Sequence, residues 1–198
     1  MGALRAGLAN NRNAPRSSEG RHLSERDSSP RSHSLTKPCM TIRRYRPSDT
    51  PALLALFHDT VHAVNARDYS PEQLNAWAPP TQDADAWTAR LTARDTLVAE
   101  DGPLLVGFCD LEGDGHLDHL YCHANYQRRG VGTRLLEGIE QIAREKGITH
   151  LTTEASITAR PFFEARGFQT LQAQTVHVRG LAFANYRMEK EIMEKELL

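Results

Sequence analysis

The stretch Gln127-Arg128-Arg129-Gly130-Val131-Gly132-Thr133 decides how this chain is read. It lies between a strand-like segment, His116 to His123, and an amphipathic run that starts near Val131. A glycine-rich turn at a helix N-terminus points several unpaired backbone N–H groups in one direction. Gly130 and Gly132 carry no Cβ, so a ligand can approach the main chain closely. Arg128 and Arg129 add positive charge, and such a turn suits a pyrophosphate. Other phosphate loops fit less well. No Lys-Ser/Thr follows the glycines, as a P-loop requires, and Leu135 stands where a dinucleotide fingerprint needs its third glycine. The plain alternative is a surface turn with a helix cap, and the order of elements around the turn must decide.

Upstream, Thr41 to Arg46 reads as a first strand. Ser48-Asp49-Thr50-Pro51 offers N-cap candidates before a proline suited to a first helical turn. Leu53, Leu54, Leu56, Phe57, Val61 and Val64 follow at helical spacing. Ser70-Pro71-Glu72-Gln73 is a second helix start, with Gln73 at the capping-box position, and Pro79-Pro80 closes that helix. A third helix is predicted from Asp83 to Ala93. Three strands follow, Thr96–Ala99, Leu104–Leu111 and His116–His123, joined by turns at Asp101-Gly102 and Glu112–Gly115. Downstream, Val131 to Lys146 places Val131, Leu135, Leu136, Ile139, Ile142 and Ala143 on one helical face, and Gly147 suits the C-terminal cap. A fifth strand over Ile148–Thr153, a helix over Ile157–Arg166 and a strand pair, Gln172–Arg179 with Ala182–Glu189, complete the reading.

The chain has 198 residues, enough for one domain with a substantial core, and a formal net charge of -1, which provides no global basic field for nucleic acid or membrane. No apolar run approaches the roughly 18 residues of a membrane span. Cys39, Cys109 and Cys122 form no Cys-x-x-Cys pair, which fits a reducing cytoplasm better than a disulfide scaffold. Residues 1–39 are rich in Arg, Ser, Asn and Pro and poor in aliphatics, so a disordered, dispensable tail is expected. The tail lacks the apolar core of a signal peptide, and Glu19, Glu25 and Asp27 argue against a transit peptide. Met40-Thr41-Ile42-Arg43-Arg44-Tyr45 reads like a protein start, so an overextended reading frame is a further explanation of the tail. Residues 40–192 form the expected domain, and 193–198 a short C-terminal tail.

The turn has the pattern Gln/Arg-x-x-Gly-x-Gly/Ala. With the order of elements, it resembles the GNAT family, the GCN5-related N-acetyltransferases. Ala159-Arg160-Pro161-Phe162-Phe163-Glu164-Ala165-Arg166-Gly167-Phe168 is similar to that family's Ala-x-x-Phe-Tyr-Glu-x-x-Gly-Phe segment, in the right place. Asn65 to Gln73 resembles a bacterial, YafP-like subgroup. The resemblance implies an α/β (α+β) fold, with a mixed, mostly antiparallel sheet of six or seven strands flanked by helices. It also implies a cytoplasmic, acetyl-CoA-dependent N-acetyltransferase that acts by direct transfer on a primary amine of a small molecule or a protein. A homodimer is one form such a chain could take.

Direct transfer needs a held cofactor, a deprotonated amine, a stabilised oxyanion and a proton for the CoA thiolate. The resemblance assigns cofactor binding to Gln127, Arg128, Arg129, Gly130, Val131, Gly132 and Thr133. It adds the main chain of Leu120, Tyr121 and Cys122, where the fourth strand parts from the fifth and the pantetheine arm enters. For the side chains of Tyr121 and Cys122, plain packing is the stronger reading. Asp118 is the first candidate base, with His116, His119 and Glu154 beside it. Alternation along a strand separates Asp118 from His119. Ser156 could bond the pantetheine arm or cap the following helix. Tyr69, Trp77 and Trp87 are candidates for the acceptor pocket, or else core anchors.

Phe163 stands where many relatives carry the proton-donating tyrosine. Tyr126, Ser156 or water could replace that donor, or the thiolate could leave unprotonated. The alternative is a non-catalytic acyl-CoA-binding regulatory module. A metal site is disfavoured, because His119 and His123 share a strand face only about 13 Å apart, too far for one ion. No helix N-terminus or certain base activates Cys122 as a nucleophile.

Overall fold

The structure is a computed structural model that describes residues 6–7 and 40–192. The expected disordered tail lies, apart from the two-residue strand β1 (Ala6–Gly7), outside the described residues, as does 193–198. From β2 (Thr41–Arg44) the chain enters a helical layer, α1 (Thr50–Val64), α2 (Pro71–Trp77) and α3 (Ala84–Thr92). A meander follows, β3 (Asp95–Asp101), β4 (Leu104–Leu111) and β5 (Leu117–Cys122), then α4 (Val131–Glu145). The last elements are β6 (His150–Ser156), α5 (Arg160–Glu164), β7 (Gln169–Val178) and β8 (Leu181–Glu191).

The expected seven long strands divide into two sheets. One has the order β1-β5-β4-β3-β2 and the other β6-β8-β7. All neighbours are antiparallel except β1, which pairs parallel to β5. The sheets meet at one parallel bridge, His116 with Thr152, and at a bond from Thr153 Oγ1 to the Leu117 carbonyl, 2.9 Å. Beyond that foot, β5 and β6 share no ladder among the described residues.

Alternation along β5 feeds two cores. Leu120 and Cys122 join the cluster under α4, with Leu135, Leu136 and Ile139. Tyr121 joins the opposite cluster under α1–α3, with Leu53, Phe57, Val61 and Trp87. Between Asp110 and Leu111 the register slips: His119 faces Asp110 and Leu117 faces Leu111, which leaves Asp118 as the inserted residue of a bulge. The expected separation of Asp118 from His119 is therefore corrected. The bulge interrupts the alternation: His119 bonds Asp110 directly, and Asp118 reaches the same network through Arg94.

Helix starts follow the local chemistry where no stronger partner competes. Ser70 Oγ accepts the Gln73 N–H, and the Gln73 side chain accepts the Ser70 N–H at 2.8 Å, closing the expected capping box. Asp49 does not cap α1. Its carboxylate takes a bidentate bond from Arg43 at 2.8 and 2.9 Å and the Arg46 N–H at 2.8 Å. The final helix is shorter than its expected Ile157–Arg166 span. Ser156 folds back to take the Ala159 N–H, Pro161 restricts Arg160, and Gly167 ends the helix at φ 87°.

Gly107, opposite Cys122 on β4, is a point where α4 packs closely on the sheet. A Cβ there would stand 2.7 Å from Val131 Cγ1 and 2.9 Å from the Tyr121 carbonyl oxygen. Gly107→Ala should destabilise the domain by about 1–3 kcal/mol through overpacking. Urea titration checks this, and an unchanged midpoint would show that α4 can retreat without cost.

Candidate active site

Gly130 is the N-cap of α4 at φ 84°, with no side-chain cap, and Arg128 precedes it at φ 62°. The helix's own ladder begins at the bond from Arg134 N–H to Gly130 O, 3.0 Å, so the N–H groups of Val131, Gly132 and Thr133 stand ahead of it. A left-handed Gly130 costs little, but a left-handed Arg128 carries strain of order 1 kcal/mol. The turn forms one wall of a cleft of about 340 Å³, lined by Cys122, Gln127, Arg128, Gly130, Val131, Gly132 and Thr133. The opposite wall is Phe162, Ala165 and Arg166, with Tyr126 alongside. Arg166 is a cleft residue that the sequence motifs do not mark as one. It donates to Thr133 Oγ1 at 2.5 Å and lies over the Phe162 ring, adding a cation at the helix N-terminus. The signal was its place in the Glu-Ala-Arg-Gly-Phe run. Arg129 does not line the cleft; its guanidinium stacks 4.9 Å from the Tyr126 ring centroid.

The cleft reaches the end of β5 at Cys122. On β5 the outward main-chain edge at Leu120 and Tyr121 is paired with Ala6 and Gly7 of β1. An extended segment can thus add to this edge as a strand would. The Cys122 carbonyl accepts from Thr60 Oγ1 at 3.1 Å and Gln127 Nε2 at 2.7 Å, which ties α1 and the 127–133 turn to the end of β5. The Tyr121 side chain is core: its ring is T-shaped on Phe57 and stacked on Phe108. Burial pushes the Cys122 thiol well above its ordinary range, so it stays protonated and is no nucleophile.

Asp118 and His119 belong to one buried network. Arg94 donates to Asp110 at 2.7 Å, to Glu112 at 2.5 Å and to Asp118. His119 Nδ1 meets Asp110 Oδ1 at 2.8 Å, and its ring packs among Phe57, Trp87, Phe108 and Tyr121. Burial alone would raise the Asp110 carboxyl, but His119 and Arg94 overcome it and hold the carboxyl below its usual range. Ligand atoms of Asp110, Asp118 and His119 lie within 4.8 Å of one another, yet the positive charge between the two carboxylates is the Arg94 guanidinium. Glu154 stands apart from them, half-buried at the foot of the slot, 3.2 Å from His116 Nε2.

Ser156 is fully buried and its hydroxyl accepts the Ala159 N–H at 3.1 Å. Phe163 is fully buried among Phe162 and Phe168, so Phe162 is the ring that faces the cleft. The Tyr126 hydroxyl donates to Asp101 at 2.9 Å, which raises its pKa. Trp87 packs on Phe57 and His119 in the core, whereas Tyr69 and Trp77 form a separate box with Phe183. No described helix is long and apolar enough to cross a membrane.

Residues 65–190 match the acetyltransferase (GNAT) domain family. The chain is 38% identical over 147 residues to the uncharacterized N-acetyltransferase YafP of Escherichia coli K12, covering 74% of this chain and 93% of that protein. A GCN5-related N-acetyltransferase from Rhodopseudomonas palustris superposes with a TM-score of 0.73 at 38% identity, over 76% of this chain and 94% of that one. The fold also matches an acetyltransferase, yncA, from Salmonella typhimurium solved with acetyl-CoA, at a TM-score of 0.63 and 18% identity over 81% and 98% of the two chains. The chain belongs to the GNAT family and is a YafP-like acetyltransferase, with acetyl-CoA as its co-substrate.

Gly132→Val should weaken acetyl-CoA binding at least tenfold in calorimetric titration, because a branched side chain at the second helical position obstructs the approach to the turn. A folded variant with wild-type affinity would remove the turn from the cofactor site. Asp110→Asn should cost about 3–5 kcal/mol at neutral pH, since it leaves Arg94 and His119 short of a buried countercharge. The Asp110 carboxyl is depressed in the folded state, so its contribution is complete above about pH 4–5 and fades as pH falls further. Denaturant midpoints from pH 7 to pH 3 should therefore converge for variant and wild type, and a gap constant with pH would contradict the assignment.

Proposed function

We propose that the chain transfers an acetyl group directly from acetyl-CoA to a primary amine. The pyrophosphate sits on the α4 turn, with Arg128 and Arg166 nearby, and the pantetheine arm takes the place of β1 along the main-chain edge of Leu120 and Tyr121. The observation that carries this reading is the parting of β5 from β6 directly beside that turn. A main-chain N–H near Cys122 polarises the thioester carbonyl. The Arg166 and Phe162 wall closes the cofactor side, and the helical layer α1–α2 closes the acceptor side. Phe163 donates no proton, so the thiolate leaves either unprotonated or by way of water.

We assign amine deprotonation to Glu154, with His116 as its partner. Asp118 was the first candidate, but its carboxylate already serves Arg94 in a buried network, and a paired carboxylate is a poor base. Glu154 is partly solvated and lies on β6 two residues before Ser156, on the same strand face. Asp118 and His119 hold the bulge that shapes the foot of the slot.

Release of free CoA thiol, followed with an amine panel, tests the transfer itself. With an acceptor in hand, Glu154→Gln should lower turnover about 10²–10⁴-fold near neutrality, while acetyl-CoA affinity holds. Raising pH should restore part of the rate, because more of the amine is then already neutral in solution. Wild-type turnover from pH 6 to 9 in this variant would transfer the role to Asp118 or His119.

A further inference from the structure

The short strand β1 pairs parallel with β5, Ala6 beside Leu120 and Gly7 beside Tyr121. It approaches β6 and α1 as well, so it lies where the two sheets part rather than on an outer face. Its two residues are fewer than the roughly three to ten of an ordinary strand. Alanine and glycine also bring the least apolar surface of any residues, so β1 has little to add to a core. What β1 does is complete an edge. The N–H and C=O groups of an edge strand are a template for any extended chain that carries amides of its own. The pantetheine arm of acetyl-CoA is such a chain. Given the transferase reading proposed above, on which this inference rests, the arm and β1 need the same edge at Leu120 and Tyr121, and each excludes the other.

The segment suits that place. Gly7 has no side chain and Ala6 only a methyl group, so their main chain is nearly as slender as the arm. The hold is weak all the same. A glycine is costly to fix in one conformation, and a ladder of two residues supplies few bonds, each of small net worth. The cofactor has a second anchor, its pyrophosphate on the α4 turn, whereas Ala6 and Gly7 carry no charged side chain. The segment's advantage is its tether. Joined to β2 through residues 8–39 of the same chain, it meets its own slot at an effective concentration that protein dilution does not change.

We infer that Ala6–Gly7 is an autoinhibitory strand: it fills the pantetheine place in the ligand-free enzyme, and acetyl-CoA must displace it to load. The segment expected to be dispensable is then the enzyme's own competitor, and its closing equilibrium sets the acetyl-CoA concentration at which the site fills. For a closed-to-open ratio K, the apparent dissociation constant is raised by the factor 1 + K, and amide exchange of the paired segment is slowed by the same factor. Proline lacks the N–H and cannot sustain a ladder. The full chain carrying Ala6→Pro and Gly7→Pro should therefore bind acetyl-CoA about three- to tenfold more tightly than wild type in calorimetric titration. In wild type, hydrogen exchange of the Ala6 and Gly7 amides should quicken by a similar factor when acetyl-CoA saturates the protein. A strand with a merely structural role would be slowed or left unmoved by the ligand. Equal or weaker binding by the proline variant would overturn the inference, as would exchange at Ala6 and Gly7 that slows or holds on addition of acetyl-CoA; the transferase reading would survive each of these results. Failure of both proteins to bind acetyl-CoA would strike the transferase reading and the inference with it.

Discussion

Among the described residues, the bridge between His116 and Thr152 and the Thr153 bond beside it join the two sheets, and the site depends on what happens beyond them. Strands that continued to pair would leave no edge for an extended ligand. Strands that never met would leave the slot without a foot. One bridge, reinforced by Thr153 on the Leu117 carbonyl, fixes the vertex and lets β5 and β6 diverge. The bulge at Asp118 lies two residues beyond that vertex, and an inserted residue of this kind favours a local bend.

The charge at the bulge is Arg94. It lies on the segment between α3 and β3 and reaches Asp110, Glu112 and Asp118, so it links the helical layer to two strands and a turn. Asp110 also fixes His119 through both the main-chain N–H and the ring, each at 2.8 Å. Buried ion pairs are a weak source of stability compared with apolar packing, but breaking one is expensive. Such a network tolerates few alternative registers. This is a reason to find it at the bulge, where a slip of one residue would turn Leu120 and Tyr121 to the wrong cores.

Elements with a strong local code were legible in the sequence. The α4 stripe, the Ser70–Gln73 box, the Leu104–Leu111 strand and the turn at 127–133 each rest on residues within one or two turns of one another. What was hidden rests on residues far apart. The alternation rule put Asp118 and His119 on opposite faces and could not see the bulge, which is set by Arg94 some 24 positions away. Asp49 looked like a cap until Arg43 claimed it. Phe163 looked like the ring at the cofactor, but the short α5 turns Phe162 outward and sinks Phe163 beneath it.

The places where this chain breaks local rules are not scattered. Arg128 is left-handed without being glycine, Gly130 caps a helix with no side chain, and Asp118 interrupts a ladder. Arg128 and Gly130 line the cleft beside the end of β5, and Asp118 lies on β5 itself. Away from it, the cores under α4 and under α1–α3 are conventional packing of Leu, Ile, Val and aromatic side chains. A fold can carry several local costs only where the rest of it over-determines the geometry, and selection keeps them only where they do something. The strained backbone and the leading N–H groups of α4 gather at one wall of the cleft, where an anion would compensate them.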